Sequence, residues 1–359
     1  MKCQAGNNSM KRTIFYIITG TAVILSLTAC KVKTDTTAAM ATMPENATGV
    51  RFKTLDYLYR ISGTKTIAGI HNREPNASPA RWTEEIYKTT GQYPGLWSGD
   101  FLFQEENIAN RSLMIEEAIR QWEKGAVINI MWHACNPAFE QPCDWNNGKG
   151  VLSNLDDAQW NELITDGTAL NIRWKVMMDE VAVHLNVLKK HGVEVLWRPL
   201  HEMNQGKFWW GGRPGENGTR KLYQITHDYL THTKGLTNLI WVWNVQDFPN
   251  LATDVNLYNP GDTYWDVATL DIYDQSGFTP EKYSIMAGVA GDKPIAIGEC
   301  GKYPTAAQLE AQPKWTFFMG WSELVYEKNT EEDLRELLAN ERVLTLDQLQ
   351  GWNGYKSTK

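Results

Sequence analysis

Eight short apolar or β-branched runs, alternating with stretches of helical spacing, constrain this chain more than any other feature. They cover 66–70, 93–98, 126–132, 193–198, 239–244, 266–272, 294–298 and 316–321. A buried parallel strand reads as a continuous apolar run. Between the runs, apolar residues recur at helical spacing, most clearly over 80–89, 113–124, 172–191, 220–233 and 281–290. Gly125 and Gly192 stand where a helix would end before a strand, the place for a left-handed residue. Repeated strand–helix alternation predicts one closed (β/α)8, or TIM, barrel. The rival is a doubly wound open sheet, which would carry a Gly-rich phosphate turn after its first strand. Gly69-Ile70-His71-Asn72 is no such turn.

Polar residues close nearly every run: His71, Asp100, His133, His201 with Glu202, Gln246 with Asp247, Tyr273 with Asp274, Glu299, and Trp321 with Glu323. In a barrel these ends converge on one mouth, where such folds keep their active sites. The sharpest case is the apolar run 193–197, which stops in Arg198, His201 and Glu202 and continues into Phe208-Trp209-Trp210-Gly211-Gly212. Core packing does not ask for Arg, His and Glu so close together. A carboxylate beside a row of Trp suits acid/base chemistry on a ligand with flat apolar faces, and sugars are such ligands. Glu202 and Glu299 end the fourth and seventh runs, which face each other across a barrel mouth. Glycosidic hydrolysis needs such a pair: one carboxyl protonates the leaving oxygen, the other attacks the anomeric carbon or activates water. Glu202, followed by Trp209 and Trp210, is expected to hold its proton. Glu299 is expected to stay ionised, with the Tyr273 hydroxyl as its donor. The 16 Trp are expected to divide between core and cleft, with Trp209, Trp210, Trp243, Trp321 and Phe248 on the cleft side.

The N-terminus reads differently. Lys11 and Arg12 precede an apolar run over 13–27 that closes in Leu27-Thr28-Ala29-Cys30. That is a charged segment, an apolar segment and a small-residue cleavage site, too short for a comfortable membrane span. Residues before Lys11 add nothing to this signal, so Met10 is a candidate start. The closing tetrapeptide resembles a bacterial lipobox, which implies a signal peptide over 1–29 and a lipidated Cys30. Residues 30–48 then form a flexible tether and 49–359 the barrel. Lys31 favours sorting to the outer membrane, at the cell surface or its periplasmic face. In an exported chain Cys135 and Cys143 can pair as a disulfide, or stay separate thiols. Cys300 reads as a small buried thiol. A net charge of −7 with mixed signs leaves no electrostatic footprint for nucleic acid. A monomer that meets the membrane only through its lipid is expected.

The run Arg198-Pro199-Leu200-His201-Glu202-Met203-Asn204, followed by Phe208-Trp209-Trp210-Gly211, resembles the acid/base signature of glycoside hydrolase family 26, the β-mannanases. Ile297-Gly298-Glu299-Cys300-Gly301 is similar to its nucleophile strand, and the likeness extends over most of 50–350. The resemblance implies a retaining barrel enzyme, without a cofactor, that cleaves β-1,4-mannosidic bonds in mannan, glucomannan or galactomannan. Glu202 would be the acid/base and Glu299 the nucleophile. His201 would orient Glu202 or the sugar, Tyr273 would steady the nucleophile, and His133 and Trp321 would line the subsite left of the cleaved bond. Trp145 is carried over on a weaker match. The family also admits β-1,3-xylan and mixed-linkage β-glucan as substrates. A surface glycan-binding lipoprotein without catalysis is the alternative of another class, and the presence of both carboxylates argues against it. One departure stands out: many members place Trp where this chain has Lys207, which bears on the leaving-group subsite and on endo against exo cleavage. His71, His133 and His201 end different runs, but no His-x-His pair or HExxH helix is present, so no metal is expected.

Overall fold

The structure, a computed structural model, describes residues 52–273, 277–349 and 351–354. The signal segment, Cys30 with its tether, and Asp274 lie outside the described residues. Eight parallel strands close on themselves: β1 (Thr66–His71), β2 (Leu96–Asp100), β3 (Val127–Trp132), β4 (Val195–Pro199), β5 (Leu239–Gln246), β6 (Val267–Ile272), β7 (Ile295–Cys300) and β8 (Trp315–Trp321). β8 pairs with β1 from Ile67 opposite Phe317 to His71 opposite Trp321, so the sheet is a barrel and the open-sheet rival falls. All eight expected strands are present. β2 starts at Leu96 rather than at 93, because Pro94 has no N–H to give a ladder and makes only an isolated bridge to Thr345. A short strand, β9 (Val343–Leu344), pairs beside the start of β1; two residues carry no period that a sequence could display.

Alternation along the strands sorts the side chains into two layers. Ile67, Leu196, Val242, Val267 and Phe317 share the cluster inside the barrel. Their neighbours, among them Trp197, Trp243 and Phe318, face the surrounding helices. Following the inward series toward the mouth leads to His71, Asp100, Arg198, Asn244 and Asp271, all buried. The barrel is therefore apolar at its floor and polar at its top.

The helix Lys53–Ile61 is the floor. Its buried Leu55, Leu58 and Ile61 recur at helical spacing and join the inner cluster. Its first N–H groups have no local side-chain cap. The Glu194 carboxylate supplies one from the residue before β4, accepting from Lys53 N at 2.9 Å and Thr54 N at 2.7 Å. The helix Arg111–Lys124 ends on Gly125 at φ 101°. The expected helix over 220–233 begins at Thr219 and changes at Tyr229 into a π-turn, with Lys234 N donating to Tyr229 O at 2.9 Å.

Leu58 has no exposed surface. Leu58→Ala should therefore cost about 2–5 kcal/mol of stability, read as a lower urea midpoint, with the turnover of the remaining folded protein unchanged.

Candidate active site

Alternation on β4 sends Trp197 outward, where it meets the edge of Phe101 at 5.9 Å, and Arg198 inward. Arg198 Nη1 donates to both oxygens of Asp271, at 3.2 and 3.0 Å, and Nη2 donates to Glu299 Oε1. The Tyr273 hydroxyl donates to the other Glu299 oxygen. Asp271 also accepts from Asn244 Nδ2 at 2.7 Å. The β6–β7 register slips by one residue here, Leu270 facing Ile297 but Asp271 facing Glu299. The extra residue is Gly298, and the bulge turns Glu299 into the mouth.

Beyond β4 the chain turns through Leu200 and Glu202, both at positive φ, 52° and 51°. Such a conformation costs a non-glycine residue roughly 1–3 kcal/mol and persists where its surroundings enforce it. Here Glu202 N donates to Asn244 Oδ1 at 2.6 Å, Met203 N to Asn244 O at 3.4 Å, and Trp210 Nε1 to His201 O at 2.8 Å. Gln246 Nε2 donates to Glu202 Oε1 at 2.6 Å. Glu202, Asp271 and Glu299 each bring one carboxylate oxygen within 4.8 Å of the others. Burial pushes the Glu202 carboxyl well up, and the charges of Glu299 and Asp271 push the same way. The positive charge between Asp271 and Glu299 is a guanidinium, which closes that side of the carboxylate set to a cation.

The other half of the mouth is built on Asp100. Its Oδ2 lies 2.5 Å from His133 Nδ1, and its Oδ1 accepts from the His133 N–H at 3.1 Å and the Leu102 N–H at 3.0 Å. Burial alone would raise this carboxyl; His133, His71 and the Leu102 N–H outweigh it and hold it low. His71 stacks on Trp321 at 4.4 Å and pairs through Nδ1 with Ser98 Oγ at 2.9 Å. Burial lowers His71 to about 3 and His201 well below its ordinary value, so both are neutral near pH 7. His201 meets His133 edge-on at 4.4 Å, and its buried Nδ1 has no hydrogen-bond partner among the described residues. A cleft of about 640 Å³ opens over both halves.

The sequence profile described as glycosyl hydrolase family 26 matches residues 44–348. The chain belongs to that family. A mannan endo-1,4-β-mannosidase of Thermothelomyces thermophilus is 31% identical over 319 residues, covering 83% of this chain but only 61% of its own length. One of Bacillus subtilis is 30% identical over 296 residues, covering 76% and 78%. Among solved structures, GH26A of Muricauda sp. superposes with a TM-score of 0.78 at 34% identity, covering 83% of this chain and 96% of that one. The Podospora anserina GH26-CBM35 β-(1,4)-mannanase gives 0.71 at 29%, covering 88% and 69%.

In this family 26 chain Glu202, Glu299, His133, His201, Tyr273 and Trp321 all line the cleft. Trp209 and Trp210 do not, against expectation. Trp209 packs edge-on to Trp174 at 5.4 Å and donates to Ala134 O at 2.8 Å; Trp210 stacks behind Phe208 at 4.5 Å. Both indoles fill the wall behind the cleft, and Phe208 is the ring that faces it. Trp243 is likewise core, packed on Trp265 at 5.4 Å, and Phe248 is absent from the cleft lining. Of the 16 Trp, Trp145 and Trp321 reach the cleft. Cys135 and Cys143 form a disulfide, which ties the end of β3 to the loop bearing Trp145. Cys300 is a buried free thiol. Sequence reasoning missed the roles of Arg198, Asp271, Asn244 and Phe208. A charge inside an apolar strand, on the inward parity, was the signal available for the first two.

A Cβ on Gly298 would stand 2.5 Å from Asp271 Oδ1 and 2.8 Å from Asn244 Nδ2. Gly298→Ala should therefore cost about 1–3 kcal/mol by overpacking. Turnover should fall by at least about tenfold beyond the loss of folded protein, checked by urea titration beside initial rates.

Proposed function

We propose that this protein is a retaining glycoside hydrolase that cleaves β-1,4-mannosidic bonds. The observation that carries the reading is the approach of Glu202 and Glu299, with an oxygen of each within 4.8 Å. Retaining enzymes hold their two carboxyls about 5–5.5 Å apart, whereas inverting ones leave room for a water at about 6.5–9.5 Å. The surroundings divide the roles. Glu299 has a guanidinium on one oxygen and a phenol on the other, suited to a carboxylate nucleophile. Glu202 is buried against a neutral amide and holds its proton, suited to a general acid.

The steps follow. A Glu299 oxygen attacks the anomeric carbon while Glu202 passes its proton to the departing glycosidic oxygen, and the C–O bond breaks. Glu202, now ionised, takes a proton from water. The resulting hydroxide oxygen displaces Glu299 from the anomeric carbon, so two inversions give net retention. His133, His201 and Trp321 surround the bound unit, and Tyr273 steadies the nucleophile. The relatives named as mannan endo-1,4-β-mannosidases support mannan, glucomannan or galactomannan as substrate. The disulfide supports an exported chain, and Leu27-Thr28-Ala29-Cys30 supports a lipid anchor at Cys30 on the outer membrane. A monomer joined to the membrane through that lipid alone completes the proposal.

Incubation with mannan, galactomannan, xylan and β-glucan should release reducing sugar from the mannans; silence on every mannan overturns the substrate. Glu202→Gln and Glu299→Gln should each lower kcat by about a thousandfold or more while mannohexaose still binds. The acid form of Glu202 starts the reaction, so activity is present below its raised pKa and lost as pH rises through it. The alkaline limb of kcat/KM should therefore lie well above the ordinary Glu value of about 4.3.

A further inference from the structure

Two cations line the cleft among the described residues, and they are held in opposite ways. Arg73, after β1, is paired on both sides, to Glu323 Oε1 at 2.9 Å and Glu74 Oε1 at 3.3 Å. Lys207, on the β4 loop, has no carboxylate within 4.0 Å among the described residues. Its Nζ lies over the ring of Trp145, 5.1 Å from the centroid, and 5.7 Å from that of Phe208. Lys207 is exposed, whereas Phe208 beneath it is buried and stacked on Trp210 at 4.5 Å. Trp145 has Phe103 stacked on it at 6.1 Å and meets the edge of Phe208 at 5.7 Å. Its loop is tied to β3 by the Cys135–Cys143 disulfide. The ammonium thus rests on a fixed aromatic seat, with its N–H donors unspent and open to the cleft.

Where Lys207 sits relative to the reaction follows from the proton. The general acid lies beside the glycosidic oxygen, with the leaving sugar beyond it. Lys207 is on the acid's own loop, five residues on from Glu202, while the groups bonded to Glu299 are Arg198 and Tyr273. With the ammonium over the Trp145 ring, that face is closed to a stacking sugar.

On the functional reading above, we propose that Lys207 is the specificity-determining contact for the sugar on the leaving-group side of the cleaved bond. Its ammonium donates hydrogen bonds to the oxygen atoms of that unit. The enzyme reads the leaving sugar through its hydroxyl pattern, and the aromatic seat serves the lysine in place of the sugar.

The test compares two substrates in full-length protein. Mannotetraose places a sugar against Lys207; 2,4-dinitrophenyl β-mannobioside replaces that sugar by a phenolate that leaves without a proton. Lys207→Met keeps the stem and removes the donors. It should lower kcat/KM on mannotetraose about tenfold more than on the aryl glycoside, chiefly through KM, the size expected for a lost charge-assisted hydrogen bond. Lys207→Arg should recover part of that difference. Equal losses on the two substrates, or none, overturn the proposal, because a lysine acting through the fold would not sense the leaving sugar. So does a selective loss on mannotetraose that sits in kcat with a shifted alkaline limb, because a lysine acting through the charge on Glu202 would also spare the aryl glycoside. Wild-type protein that leaves both mannosides uncut sinks the functional reading and this proposal with it; wild-type cleavage with equal losses sinks the role of Lys207 alone.

Discussion

The site depends on one buried guanidinium. Arg198 touches both Asp271 and Glu299 and is itself buried. Three carboxyls within 4.8 Å of one another could not all ionise. Each like-charged pair at that distance costs about 3 kcal/mol even at an effective dielectric constant of 20. One guanidinium offsets part of that by contacting two of the three. The third, Glu202, receives a neutral amide from Gln246 and keeps its proton. Asp271 is pushed up to about 8 by burial and the Glu299 charge even with the guanidinium on it, so Arg198 and the Tyr273 hydroxyl together mark Glu299 as the nucleophile in the proposed mechanism. Geometry decides that: parity on β4 points Arg198 inward, and parity on β6 points Asp271 at it. Such a pair is weak evidence of stability, since a buried ion pair gains little over apolar packing, but removal of either partner strands a charge at about 3–5 kcal/mol.

The same economy recurs on the other half of the mouth. Asp100 holds the ring and backbone of His133 and the backbone of Leu102, so one buried carboxylate fixes two strand ends. Leu102, Leu200, Glu202 and Ser322 are the non-glycine residues at positive φ among those described. All four follow the C-terminal ends of β2, β4 or β8, and none lies on the barrel's floor side. Strain gathers where side chains must be aimed. The apolar layer beneath, plugged by the helix Lys53–Ile61, supplies the rigidity that holds it.

The barrel was legible in the chain because its strands are buried on both faces and so read as unbroken apolar runs. Glu202 and Glu299 were legible because a charge at the end of such a run has no packing reason to be there. The aromatic run misled. Phe208, Trp209 and Trp210 look alike as ligand-facing rings, yet the loop places the phenyl in the cleft and both indoles behind it. A loop has no fixed period, so adjacency in sequence says nothing of which ring faces out. Arg198 and Asp271 were hidden for the opposite reason: they lie inside strands, where period-2 parity locates them but only the closed barrel shows that they meet.

In the proposed mechanism, chemistry and selectivity are carried by different parts of this molecule. The carboxyls, Arg198 and Asp271 stand on strand ends, locked by neighbours whose own positions the barrel sets. Trp145, Lys207 and Phe208 stand on the excursions after β3 and β4, joined to the barrel through one disulfide, ring contacts and hydrogen bonds such as those from the Trp209 and Trp210 indoles. On the proposed reading, a change on the second group alters what touches the leaving sugar, and at Lys207 also the field at Glu202, whereas a change on the first alters the charge balance on which the reaction depends. Relatives at about 30% identity share a barrel of this shape. On that division, and on the proposed role of Lys207, a lysine in place of a ring exchanges a stacking face for a set of donors on a loop of the cleft and leaves the contacts of Glu299 with Arg198 and Tyr273 untouched.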